Sequence, residues 1–192
     1  MVNLGRSGRW LRCSSFAALL LCNSALAQTR VETKPDVIFV PTPQVVVDKM
    51  LELAEVSPKD ILYDLGCGNG IIVVAAAKRG ARAVGFDVDP ERVLETQENI
   101  AKNNVAELAK VLQKDIFTLD LSGASVVTLY LLPSLNVKLI PQLEQLKPGS
   151  RIVSHDYDMK GVKPVRVVTV QGPVREHKVY LWRTPLVKEG LD

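Results

Sequence analysis

Short apolar runs alternate with amphipathic stretches along most of this 192-residue chain. The apolar runs have the length and composition of buried strands, and the stretches between them repeat apolar residues at helical spacing. The predicted strands are residues 61–65, 83–86, 110–114, 125–131, 151–155, 165–170 and 178–182, and the predicted helices are residues 43–57, 71–79, 90–103 and 133–146. Strand–helix alternation followed by two consecutive strands predicts one three-layer α/β domain, with a mostly parallel sheet and a C-terminal antiparallel hairpin.

Local signals mark the ends of these elements. Thr42 is expected to be the N-cap of the first helix, with Pro43 at the first helical position, and Ser57-Pro58 should end that helix. Gly80 stands where glycine is favoured after the helix at residues 71–79. The near-continuous apolar run at residues 125–131 is typical of a central parallel strand that is covered on both faces.

The first 27 residues have the pattern of a secretory leader. Three arginines precede an apolar core at residues 16–22, and Ala25-Leu26-Ala27 has the small-x-small spacing of a signal peptidase site. The core is far shorter than the roughly 20 residues that span a bilayer. The pattern predicts a signal peptide at residues 1–27, a mature domain at residues 28–192 and an exported or periplasmic protein. An uncleaved inner-membrane anchor and a misassigned start codon are the alternatives.

The net charge of +3 belongs entirely to this leader. From Gln28 onward the chain has 21 basic and 21 acidic residues, so the body has no global basic field for nucleic acid or anionic lipid. Of three cysteines only Cys67 lies in the body, which excludes an internal disulfide there. With two histidines, His155 and His177, the body has too few of the ligands that zinc prefers, so we predict no metal site.

A glycine loop follows the first predicted strand. Gly66, Gly68 and Gly70 alternate between that strand and the next helix, and they let the backbone turn sharply beside a ligand. The spacing is neither the dinucleotide fingerprint nor a phosphate-binding P-loop. Asp64, shortly before the first glycine, would repel a pyrophosphate but can pair with an ammonium group. This loop therefore predicts a cationic, amino-acid-like ligand.

Two further carboxylates follow the next predicted strands. Asp87 lies 21 positions after Gly66, where a carboxylate can accept hydrogen bonds from both hydroxyls of a ribose. Asp115 can accept from the amino group of an adenine, with Ile116 and Phe117 as walls for the ring. The alternatives are that Asp87 or Asp89 caps a helix and that Asp115 is a turn residue. The glycine loop, Asp87 and Asp115 follow successive predicted strands in the order that a nucleoside site requires. This order favours a nucleoside site over the alternatives.

These elements together resemble a class I S-adenosylmethionine-dependent methyltransferase over residues 36–185. Four segments are similar to a small family of protein-lysine methyltransferases, whose mitochondrial members modify the ATP synthase c-subunit and the adenine nucleotide translocase. The segments are residues 39–43 (FVPTP), 63–68 (YDLGCG), 126–133 (VVTLYLLP) and 146–156 (LKPGSRIVSHD). The resemblance implies a Rossmann-like fold with a seven-stranded sheet and S-adenosyl-L-methionine as cofactor. Asn69 departs from the aspartate that relatives often carry, and the leader departs from the anchor segment of the mitochondrial members.

The resemblance also implies roles for residues outside the loop. Thr42, in the segment at residues 39–43, is expected to close over the cofactor, although this segment can equally be a helix N-cap and entry turn. Cys67 should contribute its backbone rather than a nucleophile. Tyr130 and His155 are the candidate catalytic residues, against the alternatives of a packed strand residue and a hydrogen-bonded histidine at a strand end. Asn136 is either an acceptor contact or, as we expect, a plain residue on the helix surface.

The implied reaction is methyl transfer to a protein lysine ε-amine by in-line displacement. The expected partner is a protein with an accessible lysine, and a membrane-associated substrate is compatible with the leader. No nucleic acid is expected. A small-molecule methyltransferase and a non-catalytic exported domain on the same fold remain the alternative functions.

Overall fold

Seven strands form a single sheet in a computed structural model of the protein, which describes residues 40–190. The predicted leader and Phe39 lie outside the described residues. The strands are β1 (Ile61–Leu65), β2 (Arg82–Asp87), β3 (Ala109–Gln113), β4 (Val126–Leu129), β5 (Arg151–His155), β6 (Arg166–Gln171) and β7 (Glu176–Arg183). The helices are α1 (Gln44–Leu53), α2 (Ile71–Lys78), α3 (Pro90–Lys102) and α4 (Pro133–Leu143), with a 3-10 turn at Ile116–Thr118.

The sheet has the order β3-β2-β1-β4-β5-β7-β6. Strands β1 to β5 pair in parallel, whereas β7 pairs antiparallel with both β5 and β6. The predicted mostly parallel sheet with a C-terminal antiparallel hairpin is therefore confirmed. The strand order reverses direction at β1, which has β2 on one side and β4 on the other, and ligands of open α/β sheets bind at the carboxyl ends of the strands at such a point.

Two apolar clusters cover the two faces of the sheet and make the three layers. Helices α1, α2 and α3 contribute to the first cluster, in which Met50, Leu51 and Val73 have no exposed surface. Helix α4 contributes to the second cluster, where Leu139 and Leu143 pack with Trp182. Among residues 40–190, no helix is both long and apolar enough to cross a membrane.

Two predicted boundaries are wrong near the carboxyl edge of the sheet. Helix α1 begins at Gln44 with Pro43 at the N-cap position, and the Thr42 side chain does not cap it. Thr42 is buried and its Oγ1 lies 3.2 Å from Nδ1 of His155, so a tertiary hydrogen bond takes the place of the cap. Strand β4 ends at Leu129 rather than residue 131. The chain leaves the sheet at Tyr130, which places that side chain beside the cavity described next.

Candidate functional site

A cavity of about 530 Å³ opens at the carboxyl ends of β1, β2 and β4. Most of the predicted site residues line this cavity, although they come from segments up to about 90 positions apart in the chain. Those residues are Thr42, Asp64, Gly66, Cys67, Asp87, Asp115, Ile116 and Tyr130. The parallel strands bring them together because each of the aspartates lies at or near the carboxyl end of its strand.

Backbone conformation and backbone hydrogen bonds to β2 hold the glycine loop in place. Gly66, Gly68 and Gly70 all have positive φ, of 76°, 53° and 74°. The amides of Gly66 and Cys67 donate to the carbonyl of Phe86 at 2.9 and 3.0 Å, which ties the loop to β2. Gly68 and Gly70 do not line the cavity, and their positive φ values shape the loop. A direct contact of these two glycines with a ligand stays a prediction.

Polar side chains of α3 brace the loop from behind. Thr96 Oγ1 donates to the carbonyl of Gly68 at 2.7 Å, and Asn99 Nδ2 donates to the carbonyl of Asn69 at 2.9 Å. Oδ1 of Asn69 accepts from the amide of Ile71 at 3.3 Å, so the asparagine supplies the acceptor that an aspartate would offer there. Burial raises the pKa of the Cys67 thiol, as expected for a packed residue and not for a nucleophile.

Asp64 is a buried carboxylate, and only one of its oxygens is hydrogen bonded within the described part of the chain. Thr128 Oγ1 donates to its Oδ1 at 2.7 Å, whereas its Oδ2 finds no hydrogen-bond partner among residues 40–190. Burial raises the pKa of Asp64 to about 7, and the negative charge of Asp87 adds to the effect. A buried acceptor without a donor is unfavourable, so Asp64 is suited to an ammonium group that enters the cavity.

Asp87 lies at the mouth of the same cavity and also fixes the backbone around it. Its Oδ2 accepts from the amide of Gly68 at 2.9 Å, and its Oδ1 accepts from the amide of Asp89 at 3.0 Å. Each carboxylate oxygen has a second lone pair, so both can still accept from a ligand hydroxyl. Asp89 is the N-cap of α3 and accepts from the amide of Glu91. The helix-cap alternative therefore holds for Asp89 and not for Asp87.

Asp115 combines the two roles that the sequence left open. Its Oδ1 accepts from the amide of Phe117 at 2.9 Å, so it caps the 3-10 turn as a turn residue would. It also lines the cavity with Ile116 and Phe117, where a flat ring would lie against apolar walls. The Lys138 ammonium lies 3.6 Å from the centre of the Phe117 ring and holds that ring from outside.

Aromatic rings form the end of the cavity nearest β4 and β5. Tyr130 and Tyr157 both line it, with ring centroids 6.0 Å apart and ring planes 22° from parallel. The His155 ring packs against the Tyr130 ring, at a centroid distance of 3.8 Å. Burial raises the pKa of the Tyr130 hydroxyl, assisted by the charge of Asp156, so this hydroxyl is protonated at neutral pH.

His155 lies behind Tyr130 and does not line the cavity. It has no exposed surface, and its two ring nitrogens contact Thr42 and His177. Burial lowers the pKa of His155 to about 4, so the imidazole is neutral. In this arrangement His155 orients Thr42 and Tyr130, and a direct contact with substrate stays a prediction. The observed contacts of His155 match the alternative interpretation, a hydrogen-bonded histidine at a strand end.

Asn136 is not the surface residue that we expected. It has no exposed surface, and its Nδ2 donates to the carbonyl of Asp158 at 3.0 Å and to that of Tyr157 at 3.3 Å. The expectation was wrong because the loop after β5 folds over the first turn of α4 and covers it. Asn136 thus fixes the backbone that carries Tyr157.

Sequence reasoning missed several residues of the cavity. Tyr157 is the most informative, and its signal was an aromatic residue just past the predicted strand at residues 151–155. The others are Val40, Asn69, Ile71, Ile72, Val88, Asp89, Arg92, Leu131, Leu132 and Leu135. Most of them are apolar residues, for which a sequence pattern cannot distinguish cavity walls from core.

Comparisons with known proteins identify methyltransferases as relatives of this chain. Residues 64–166 match the ANTKMT methyltransferase domain. A protein-lysine N-methyltransferase of Saccharolobus islandicus is 46% identical over 151 residues, which are 77% of this chain and 94% of that protein. A crystal structure described as an RNA methyltransferase from Salinibacter ruber, in complex with S-adenosyl-L-homocysteine, is 50% identical. It has a TM-score of 0.73 and covers 80% of this chain and 99% of its own.

A more distant relative is the ribosomal protein L11 methyltransferase of Desulfitobacterium hafniense. It is 33% identical over 118 residues, which are 60% of this chain but 38% of that longer protein. The likeness therefore covers little more than a third of that protein.

The sheet order, the glycine loop and the strand-end carboxylates define a class I S-adenosylmethionine-dependent methyltransferase. Within that class, the chain belongs to the family of the ANTKMT methyltransferase domain. The resemblance seen in the sequence is thus confirmed. The free Oδ2 of Asp64 provides a test of fit for the cofactor, since it supplies the acceptor that an amino-acid ammonium group requires.

Proposed function

We propose that this enzyme transfers a methyl group from S-adenosylmethionine to the ε-amine of a lysine in a protein. The observation that carries this proposal is the aromatic end of the cavity, where the rings of Tyr130 and Tyr157 both line the wall. Aromatic faces attract an ammonium group and do not attract phosphate. The 46% identical relative, a protein-lysine N-methyltransferase, supports the same acceptor.

The strand-end carboxylates would hold the cofactor. Asp64 pairs with its ammonium group, Asp87 accepts from its ribose hydroxyls, and Asp115 with Ile116 binds its adenine. When bound, the cofactor supplies a methyl group that is already activated by the positive charge on sulfur. The protein has to align the acceptor with this methyl group and exclude water.

The acceptor amine must be neutral to attack. A lysine with the ordinary pKa near 10.4 needs about 4.6 kcal/mol to lose its proton at pH 7. Desolvation between Tyr130 and Tyr157 would lower this requirement, because burial disfavours the charged form. The Tyr130 hydroxyl is protonated at neutral pH, so it is not itself the base. The proton passes to solvent before the amine enters the cavity.

An RNA substrate is the second candidate, since the 50% identical crystal structure is described as an RNA methyltransferase. One observation favours the protein substrate. The body beginning at Gln28 has equal numbers of acidic and basic residues, so it has no global basic field for a polyanion.

A labelling experiment distinguishes these acceptors. The enzyme is incubated with methyl-labelled S-adenosylmethionine and a cell extract, with the Asp87→Ala variant as the inactive control. We expect label in macromolecules that is released by protease and resists ribonuclease. Label released by ribonuclease would establish an RNA acceptor, and label in small molecules would establish the small-molecule alternative. Cofactor binding without any labelling would indicate a non-catalytic domain.

Tyr157 should affect acceptor binding more than cofactor binding. Replacing it by alanine removes one wall of the aromatic end, so we expect KM for the protein acceptor to rise about tenfold. The dissociation constant of S-adenosylhomocysteine should change less than about twofold, because Asp64, Asp87 and Asp115 are untouched. Tyr157→Phe keeps the ring and is the matched control. Equal losses in cofactor and acceptor binding would contradict this division.

The pKa of Asp64 predicts how cofactor binding depends on pH. Below about pH 7 the free enzyme holds a proton on Asp64, and a protonated carboxyl cannot pair with an ammonium group. We expect affinity for S-adenosylhomocysteine to fall about tenfold from pH 8 to pH 6, measured by calorimetry. Asp64→Asn should bind weakly with no such dependence. A wild-type affinity that is constant over this range would contradict the assignment.

The same pKa predicts the stability of the free enzyme. Asp64 ionises near 3.8 in the unfolded chain but near 7 in the folded one. Its contribution to stability is therefore present below pH 4 and is lost as the pH rises to 7. Bound cofactor should reverse this loss, so the increase in Tm on adding S-adenosylhomocysteine should be larger at pH 8 than at pH 6.

The leader supports a further proposal about location. We propose that residues 1–27 direct the chain out of the cytosol, with cleavage after Ala27 or retention at the inner membrane. The proposal is supported by three arginines near the N-terminus, the apolar core that follows them and the Ala-x-Ala spacing at residues 25–27. Fractionation combined with N-terminal sequencing tests it. A full-length chain in the cytosol would contradict it.

A further inference from the structure

Three potential metal ligands meet where β5 and β7 pair, behind the aromatic end of the cavity. His155 ends β5, Asp156 follows it, and His177 lies near the start of β7. Asp156 has a left-handed φ of 59°, and its Oδ1 accepts from the amide of Lys178 at 3.0 Å. This leaves Oδ2 beside the two imidazole rings. The sequence prediction of no metal site rests on the small number of histidines. In the structure both histidines lie beside the carboxylate of Asp156.

The three ligand atoms are close enough to share one metal ion. Nε2 of His155 lies 2.8 Å from Nδ1 of His177, and Oδ2 of Asp156 lies 3.3 and 3.2 Å from these two nitrogens. A point at the usual zinc bond length of about 2.1 Å from all three atoms lies roughly 1 Å off their plane. All three atoms come from side chains that are at most 12% exposed.

The surroundings of His155 resemble those of a metal-bound histidine. Its second ring nitrogen, Nδ1, lies 3.2 Å from Thr42 Oγ1, which orients the ring and leaves Nε2 directed at His177 and Asp156. Outer hydrogen bonds of this kind fix the orientation of histidine ligands. The guanidinium of Arg175 is the competing cation, since it pairs with Oδ2 of Asp156. The Arg175 side chain is 55% exposed, so it can move into solvent without disturbing the core.

We propose that His155 Nε2, His177 Nδ1 and Asp156 Oδ2 bind a zinc ion, with water as the fourth ligand. Binding releases Arg175 from Asp156, and the proton between the two ring nitrogens goes to solvent. The ion clamps the β6–β7 hairpin to the end of β5. It thereby fixes the His155 ring against Tyr130, next to the methyl acceptor. Zinc binding at these residues does not depend on the identity of that acceptor.

Metal titration of the untagged full-length enzyme tests the proposal. Zinc is titrated by calorimetry into chelator-treated protein, and cobalt is added separately as a spectroscopic probe. We expect one ion per chain, with a cobalt spectrum that lacks a thiolate charge-transfer band. His177→Ala should weaken zinc binding about 100-fold or more, because one of three protein ligands is lost. Arg175→Gln should strengthen it about fivefold, because the competing cation is removed.

Controls separate loss of the site from loss of the fold. His177→Ala should retain affinity for S-adenosylhomocysteine, and if that variant does not fold, Asp156→Asn serves instead with an expected loss of about tenfold. Cys67→Ala should bind zinc as the wild type does. The proposal is overturned if the wild type binds no zinc, if His177→Ala or Asp156→Asn binds it within about threefold of wild type, or if cobalt shows thiolate ligation.

Discussion

Replacing Asp87 by alanine is expected to weaken the binding of S-adenosylhomocysteine by about 100-fold or more. The carboxylate would accept from two ribose hydroxyls, and hydrogen bonds to a charged group are worth about 1.5 to 3 kcal/mol each. The same oxygens hold the amides of Gly68 and Asp89, so the substitution also loosens the loop that faces the ligand. Both effects reduce affinity.

Calorimetry on three variants measures this effect and separates its causes. Asp87→Asn keeps one acceptor oxygen and should retain part of the affinity. Asp48→Ala removes an exposed carboxylate on α1, away from the cavity, and should leave affinity unchanged. An Asp87→Ala variant that folds normally and binds within about threefold of wild type would remove Asp87 from the cofactor site.

Replacing Gly70 by alanine should destabilise the protein by about 2 to 5 kcal/mol. Gly70 has a φ of 74°, which costs an L-residue roughly 1 to 2 kcal/mol. A Cβ atom there would also lie 2.5 Å from Cγ2 of Thr96, the residue whose hydroxyl braces the loop. Overpacking of this kind costs a further 1 to 3 kcal/mol, approximately.

Gly149 is the matched control for this substitution. It has a φ of 84°, but a Cβ atom there meets nothing within 4 Å. Gly149→Ala should therefore show the backbone cost of about 1 to 2 kcal/mol alone. Denaturant unfolding measures both free energies. Equal losses in the two variants would mean that contact with Thr96 does not hold the glycine loop.

The fold and the cofactor side of the site were accessible from the sequence for a simple reason. Asp64, Asp87 and Asp115 each follow a recognisable strand, and parallel strands direct their carboxyl ends to one edge. Local pattern and sheet topology therefore sufficed to bring these residues together. The glycine loop was predictable in the same way, because its alternating glycines lie between a recognisable strand and a recognisable helix.

The acceptor side depends on contacts that no local pattern encodes. Thr42 is hydrogen bonded to His155, 113 positions away, so its local signal as an N-cap was misleading. Asn136 is buried by a loop that follows a different strand, and its helical position alone indicated the surface. His177 reaches His155 through the antiparallel pairing of β7 with β5. The sequence predicts the hairpin of β6 with β7 but not which of its strands pairs with β5.

The chemical identity of the methylated product shows whether the methyl group reaches a lysine amine. Labelled protein from the wild-type reaction is hydrolysed completely to amino acids, and the label is identified by chromatography and mass spectrometry. The geometry of the aromatic end predicts ε-N-methyllysine, with none formed by Asp87→Ala. Label in another amino acid or in a nucleoside would contradict the account.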